Sequence, residues 1–242
     1  LPQYLMNLKD IVPLLDEKEL KNPSRLKAFS VADRYSHNLL EQLEGRYQES
    51  RLTWLACFGS NLSFKRDLIS KIGGYDESCK GWGREDTEFA YRLHKAGAKF
   101  IVDPTLNRYH QEHPIITDTL LEEKKNMILF QQKHPDIEVC IKSLNSLKIY
   151  DFRFMDTVLE EYHSLCDKYP GQFEAFRNSI LSMLKQIPVL ISEKKPVENL
   201  LQSSGIGLDC KKTKRIYAER DTIYAYGKFE NLVRLFHILT ER

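Results

Sequence analysis

Residues 57–114 read CFGSNLSFKRDLISKIGGYDESCKGWGREDTEFAYRLHKAGAKFIVDPTLNRYHQEHP, and this stretch constrains the chain more than any other. Within it, Gly81-Trp82-Gly83-Arg84-Glu85-Asp86 sets an aromatic ring between two glycines and puts two adjacent carboxylates at the start of a helical pattern. Phe89, Ala90, Leu93 and Ala96 recur at helical spacing, so a helix is expected from near Arg84 to Gly97. Glu85 and Asp86 then fall in its first turn, where the helix dipole and unpaired N–H groups favour ionised carboxylates. An ionised carboxylate within reach of a hydroxyl is a candidate general base. The ordinary alternative is an acidic helix start, which is common. The glycines weigh against it, because they let the backbone approach a ligand closely. A tryptophan between them is poorly placed for core packing, and its flat face suits the apolar side of a sugar ring.

The flanking residues read as a mixed α/β unit. Leu52–Phe58 and Ala98–Val102 are expected as short strands, with another over Thr105–His110. Ser63 is expected to cap a helix with Leu68, Ile69 and Ile72 on its apolar face, ended by Gly73. Asn61, Ser63 and Arg66 follow the first expected strand, where polar groups commonly point into a ligand crevice; a plain loop and helix cap accounts for them equally well. His110 and His113 lie three residues apart, and imidazole is a good ligand for a divalent ion. His110 is the better placed, at the end of the third strand. His94 and His134 are expected on helix surfaces, and His163 has no assigned role.

Residues 1–50 are polar, with short apolar clusters such as Ile11-Val12-Pro13-Leu14-Leu15. From about residue 117 helical periodicity dominates. Helices are expected over 118–133, capped by Thr117 or Asp118, and over 156–169, capped by Asp156. Others follow over 172–186, with Phe173, Phe176, Ile180 and Leu184 aligned, and over 228–240; Pro196 suits a further first turn. The expected division is therefore 1–145 and a helical domain over 146–242.

The net charge of +2 is spread without a single-sign stripe, which argues against a nucleic-acid partner. Five separated cysteines without a CxxC pair argue for reduced thiols in a cytoplasmic setting rather than a disulfide framework or structural zinc. No apolar run approaches the ~20 residues of a membrane span.

Four motifs in order carry a resemblance: FGSNLS at 58–63, GGYDE at 73–77, GWGREDTEF at 81–89 and YHQEHP at 109–114. Together they resemble the C-terminal half of family 2-type glycosyltransferases of the GT-A fold, including the related galactosyltransferase and chondroitin-synthase-like groups. The resemblance covers about 50–115 well, 1–50 loosely, and 146–242 not at all. The implied fold is α/β: the C-terminal part of a GT-A (nucleotide-diphospho-sugar transferase) domain, followed by a mostly α-helical domain. The implied reaction is inverting sugar transfer from a nucleotide sugar, here a UDP-sugar, to a saccharide or a peptide or protein acceptor, in a bacterial protein that is cytoplasmic or peripheral to the membrane. Carried over, Asp86 resembles the catalytic base and Glu85 the neighbour that binds acceptor hydroxyls. Trp82 and Gly83 would shape the acceptor pocket. Asn61, Ser63 and Arg66 fall on the donor side, and His110 resembles the histidine that completes a donor-bound Mn2+ or Mg2+ site.

Two departures qualify the resemblance. Ser60 stands where many relatives have glycine. No Asp-x-Asp pair occurs in the 242 residues, so the expectation is a donor half lying outside this chain or supplied by a partner, and an isolated chain that does not transfer sugar. The helical tail would recruit an acceptor or mediate a homodimer. The competing reading is a noncatalytic sugar- or partner-binding module. A third, an HxxH metalloprotein on His110 and His113, lacks a third ligand at helical spacing.

Overall fold

The computed structural model describes residues 15–59, 61–103, 105–106, 108–110 and 118–241. Its helices run α1 Pro23–Ala28, α2 Arg34–Leu43, α3 Arg66–Ile72, α4 Glu85–Lys95, α5 Thr119–Lys133, α6 Ile137–Cys140, α7 Phe152–Lys168, α8 Glu174–Ser192, α9 Leu200–Ser203, α10 Cys210–Ala225 and α11 Glu230–Thr240. Short 3-10 turns intervene at Thr53–Ala56 and Ile141–Leu147. Helical residues, α and 3-10 together, make up 63% of the described residues and no strand occurs among them, so the α/β expectation is wrong for this structure.

The physical reason is visible at each expected strand. Leu52–Phe58 is apolar enough to be buried, but a short apolar run does not by itself distinguish strand from helical turn. Here Leu55 N–H donates to Leu52 O at 2.9 Å and Cys57 N–H to Trp54 O at 3.2 Å, so the backbone is satisfied locally. The indole Nε1–H of Trp54 donates to Arg51 O at 2.8 Å, and Trp54 is wholly buried. Among the described residues, 98–102 have no neighbouring strand to pair with. Ala98 N–H closes back onto Leu93 O, Phe100 O accepts from the Gln48 side chain, and Ile101 is exposed. The described residues of 105–110 likewise form no strand.

Several helices begin or end other than expected. Asp151, not Asp156, caps α7 by accepting from Phe154 N–H. Asp156 is buried one turn further on and accepts Arg51 N–H at 2.9 Å, which joins α7 to the chain before the Trp54 turn. Helix α3 starts after Lys65 without a side-chain cap, so Ser63 plays no capping part, while Gly73 does end the helix at φ +79°. Helix α8 continues through Pro188 to Ser192, because Ile187 and Leu190 extend its buried face past the one lost backbone bond. Pro196 lies outside any helix. Asp118 caps α5 through Leu121 N–H. Thr117, Ser60, His113 and the 11–14 part of the N-terminal apolar cluster lie outside the described residues.

One buried cluster extends from Leu39 on α2 to Leu239 on α11. Trp54, Tyr91 on α4 and Phe130 on α5 meet edge to face, with centroids 4.9–6.3 Å apart. On its other flank α5 packs along α8, and α7 packs on α2 and α11. Helix α5 thus stands between the motif-bearing α4 and the C-terminal helices.

Candidate active site

The Gly81–Asp86 segment is held from outside by one face of α5. Asn126, buried on that face, donates from its Nδ2 to Lys80 O at 3.0 Å, Gly83 O at 2.8 Å and Trp82 O at 3.4 Å. Glu122, one turn earlier, accepts Trp82 N–H at 2.9 Å. Glu123 forms an ion pair with Arg84 and another with Lys124. Both glycines are required by this grip. Gly81 has φ +72°, and a Cβ there would lie 2.5 Å from the Glu122 carboxyl carbon. Gly83 has φ +95°, with a would-be Cβ 3.3 Å from Glu123 Cγ. The sequence pointed to close approach at these glycines, and what approaches is α5.

Two consequences follow for the functional side chains. Trp82 is 59% exposed although its backbone is fixed on both sides, so its ring is presented to solvent from a rigid turn. Arg84 adopts a left-handed conformation at φ +79°, which costs a non-glycine residue roughly 1–2 kcal/mol. Its ion pair with the buried Glu123 holds it there, and α4 starts at the next residue, without a side-chain cap.

Glu85 and Asp86 occupy the first turn of α4, as expected, and both are partly exposed. Gly59 N–H donates to Asp86 Oδ2 at 3.3 Å and Thr87 Oγ1 donates to Oδ1 at 3.2 Å. Three ionisable groups near this carboxylate, Cys57, Tyr35 and Lys142, are pushed toward neutrality. Burial raises the Cys57 thiol to about 12, with the Asp86 charge adding to the effect. Burial likewise raises the Tyr35 phenol to about 12, against the lowering influence of Arg84. Lys142, at 2% exposure, lies 5.6 Å over the Trp54 ring, and desolvation drives its ammonium well below the ordinary lysine value. Asp86 is therefore a partly exposed carboxylate beside three desolvated groups.

The remaining candidates are placed as follows. Asn61 donates from its side chain to Leu106 O at 2.9 Å and so ties the 58–63 loop to the 105–110 segment. Ser63 and Arg66 are exposed, Arg66 at the first position of α3. His110 is exposed as well. Among the described residues no three His, Cys, Asp or Glu side chains come together as a metal-binding set. His134 is not a surface helix residue: its Nε2 lies 3.0 Å from Oε1 of the buried Glu88. His94 is partly buried, between Tyr91 and Phe100, and His163 bonds Glu138 at 2.6 Å.

Sequence reasoning missed the residues that build the site. Glu122, Glu123 and Asn126 lie some forty positions beyond the turn they grip, and no local pattern links them to it. Tyr75 was read only as part of a motif. Arg92 was unassigned, yet it donates to Ile72 O and Gly74 O at 2.5 and 2.7 Å while the Glu88 carboxylate accepts from its other edge at 2.8 and 2.9 Å. The i, i+4 spacing of Glu88 and Arg92 was the available signal.

Comparison with known proteins centres on this same region. Residues 43–114 match the family model described as the N-terminal domain of galactosyltransferase. The chain is 28% identical over 136 residues to the uncharacterized glycosyltransferase YfnE of Bacillus subtilis, covering 54% of this chain and 35% of that protein. It is 30% identical over 114 residues to a chondroitin synthase of Escherichia coli, covering 46% and 16%. With the hyaluronan synthase of Pasteurella multocida it shares 37% identity over 79 residues, covering 31% and 8%. The matched segment thus spans about a third or less of each of these relatives. No solved structure matches the chain. These similarities support a glycosyltransferase family for the stretch that contains Asp86. Among the described residues no helix is long and apolar enough to cross a membrane.

Proposed function

We propose that this chain carries the acceptor-binding and base-catalytic site of an inverting glycosyltransferase that uses a nucleotide sugar, most simply a UDP-sugar. The observation that carries the reading is Asp86: a partly exposed carboxylate on the first turn of α4, bonded by Gly59 N–H, four residues from an exposed tryptophan on a clamped turn. In the reaction an acceptor hydroxyl attacks the anomeric carbon and its proton passes to Asp86. The new C–O bond forms as the bond to the nucleoside diphosphate breaks, with inversion. Trp82 stacks on the acceptor ring and Glu85 accepts hydrogen bonds from its other hydroxyls. Asn61, Ser63 and Arg66 face the donor. The acceptor is a saccharide or a peptide or protein. Residues 146–242 serve acceptor recruitment or self-association.

In the full-length gene product, Asp86→Asn removes the base at nearly constant shape. Turnover should fall at least about a hundredfold, the usual scale for a general base, while nucleotide-sugar binding by calorimetry stays within about twofold. Retained turnover removes Asp86 from the role. The second reading, a noncatalytic sugar-binding module, is favoured by the exposure of Trp82; it predicts oligosaccharide binding without turnover in the parent protein.

A further inference from the structure

The residue that shares the Asp86 niche is Tyr75, which none of the roles above uses. Its ring stacks on the buried Phe89 of α4, with centroids 4.8 Å apart and planes 29° from parallel, yet 49% of the residue is exposed. Its backbone is anchored from behind: Arg92 donates to Gly74 O, the carbonyl immediately before it, and to Ile72 O, and Glu88 fixes Arg92. The phenol therefore has a defined position. A Cβ built on Gly59 would lie 3.1 Å from Tyr75 Oη, 3.3 Å from Asp86 Cβ and 4.0 Å from Asp86 Oδ2. The hydroxyl and the carboxylate thus flank one glycine, and only the missing side chain of Gly59 leaves the space between them open. Among the described residues the Tyr75 hydroxyl makes no hydrogen bond. Burial raises the phenol above its ordinary value, with Asp86 and Glu85 adding to the rise, so it stays a proton donor across the neutral range.

We propose that Tyr75 is an acceptor-binding and specificity-determining residue: its hydroxyl donates to an oxygen of the acceptor sugar adjacent to the hydroxyl that Asp86 deprotonates. The site thereby selects a pyranose with two neighbouring oxygens on one edge, held between the Tyr75 hydroxyl and the Asp86 carboxylate. A donor is needed there because Asp86 and Glu85 only accept when ionised. This assignment rests on the glycosyltransferase reading.

The test is Tyr75→Phe in the full-length protein, which keeps the ring on Phe89 and removes only the hydroxyl. Chondroitin and hyaluronan oligosaccharides are the acceptor probes. The KM for the acceptor should rise about tenfold, the scale of one lost hydrogen bond, with a smaller change in kcat and an unchanged donor KM. Kinetics equal to the parent overturn the proposal. A second arm is independent of turnover: the Tyr75 Cζ resonance, followed with pH, should titrate lower in Asp86→Asn than in the parent. An unmoved titration shows that the two groups do not share a niche and overturns the proposal. If the parent transfers no sugar, the enzyme reading itself has failed. The subsite is then decided by oligosaccharide binding read through Trp82 fluorescence: a Kd about tenfold weaker in Tyr75→Phe sustains it, and an equal Kd sinks it.

Discussion

Gly81→Ala is the sharpest test of the clamped turn, because two separable costs meet at one methyl group. The backbone sits at φ +72°, which costs an L-residue about 1 kcal/mol. The new Cβ would also fall 2.5 Å from Cδ of Glu122 and 2.7–2.8 Å from its carboxylate oxygens. That carboxylate is the end of a flexible side chain, so it swings away rather than displacing α5. In moving it gives up the 2.9 Å bond from Trp82 N–H, a loss of about 1 kcal/mol at a partly exposed site. Gly81→Ala should therefore destabilise by about 2 kcal/mol, and Glu122→Ala alone by about 1 kcal/mol. The double variant should also lose about 2 kcal/mol rather than the additive 3, because the bond can be lost only once. Urea unfolding followed by far-ultraviolet circular dichroism gives all three numbers. Simple additivity would show that Glu122 and Gly81 do not meet, and a neutral Gly81→Ala would remove the left-handed turn as well.

Asn126→Ala leaves the Lys80 and Gly83 carbonyls without their buried donor. It should cost about 2 kcal/mol and increase acrylamide quenching of Trp82, while Trp54, wholly buried, stays protected. Lys142→Met should stabilise the fold at neutral pH by about 1–3 kcal/mol, since it replaces a desolvated amino group with an apolar chain of similar length. The pH dependence has a defined sign. With the folded lysine depressed, the unfolded chain binds more protons between the folded value and the ordinary ~10.4, so the parent gains stability as pH rises through that window. In Lys142→Met that rise should disappear; a rise of the same size would place its origin elsewhere.

The helices were legible where an apolar face repeats over three turns. Phe229, at the N-cap of α11, and Leu232, Val233, Phe236 and Leu239 on it are all buried, as their spacing required. The same holds for Phe176, Ile180 and Leu184 on α8 and for Phe89, Ala90 and Leu93 on α4, whereas Ala96, at the C-cap of α4, is exposed. Tyr91, unassigned from the sequence, has a buried ring, and its hydroxyl donates to Asp136 at 2.8 Å. The strands were misread for a different reason. Leu52–Phe58 and Ala98–Val102 have strand-like composition, but a strand exists only with a partner to take its N–H and C=O groups. Composition reports burial, and the 3-10 turn at Thr53–Ala56 satisfies burial equally well.

The candidate site was legible in its chemistry and illegible in its construction. Glu85, Asp86 and Trp82 could be singled out because a carboxylate pair in a first turn and a tryptophan between glycines are local patterns. What makes them a site is not local. One face of α5, through Glu122, Glu123 and Asn126, fixes the turn, while Met127 and Phe130 on the same helix are buried in the core that α5 shares with α8. A grip made from the second turn of one helix onto a loop forty residues earlier leaves no periodicity to read. It also ties Asp86 to the packing of the C-terminal helices: a change that shifts α5 on α8 moves Asn126 and Glu123, and with them the left-handed Arg84 from which α4 starts. Stability of the helical region and placement of the candidate base are therefore coupled through α5.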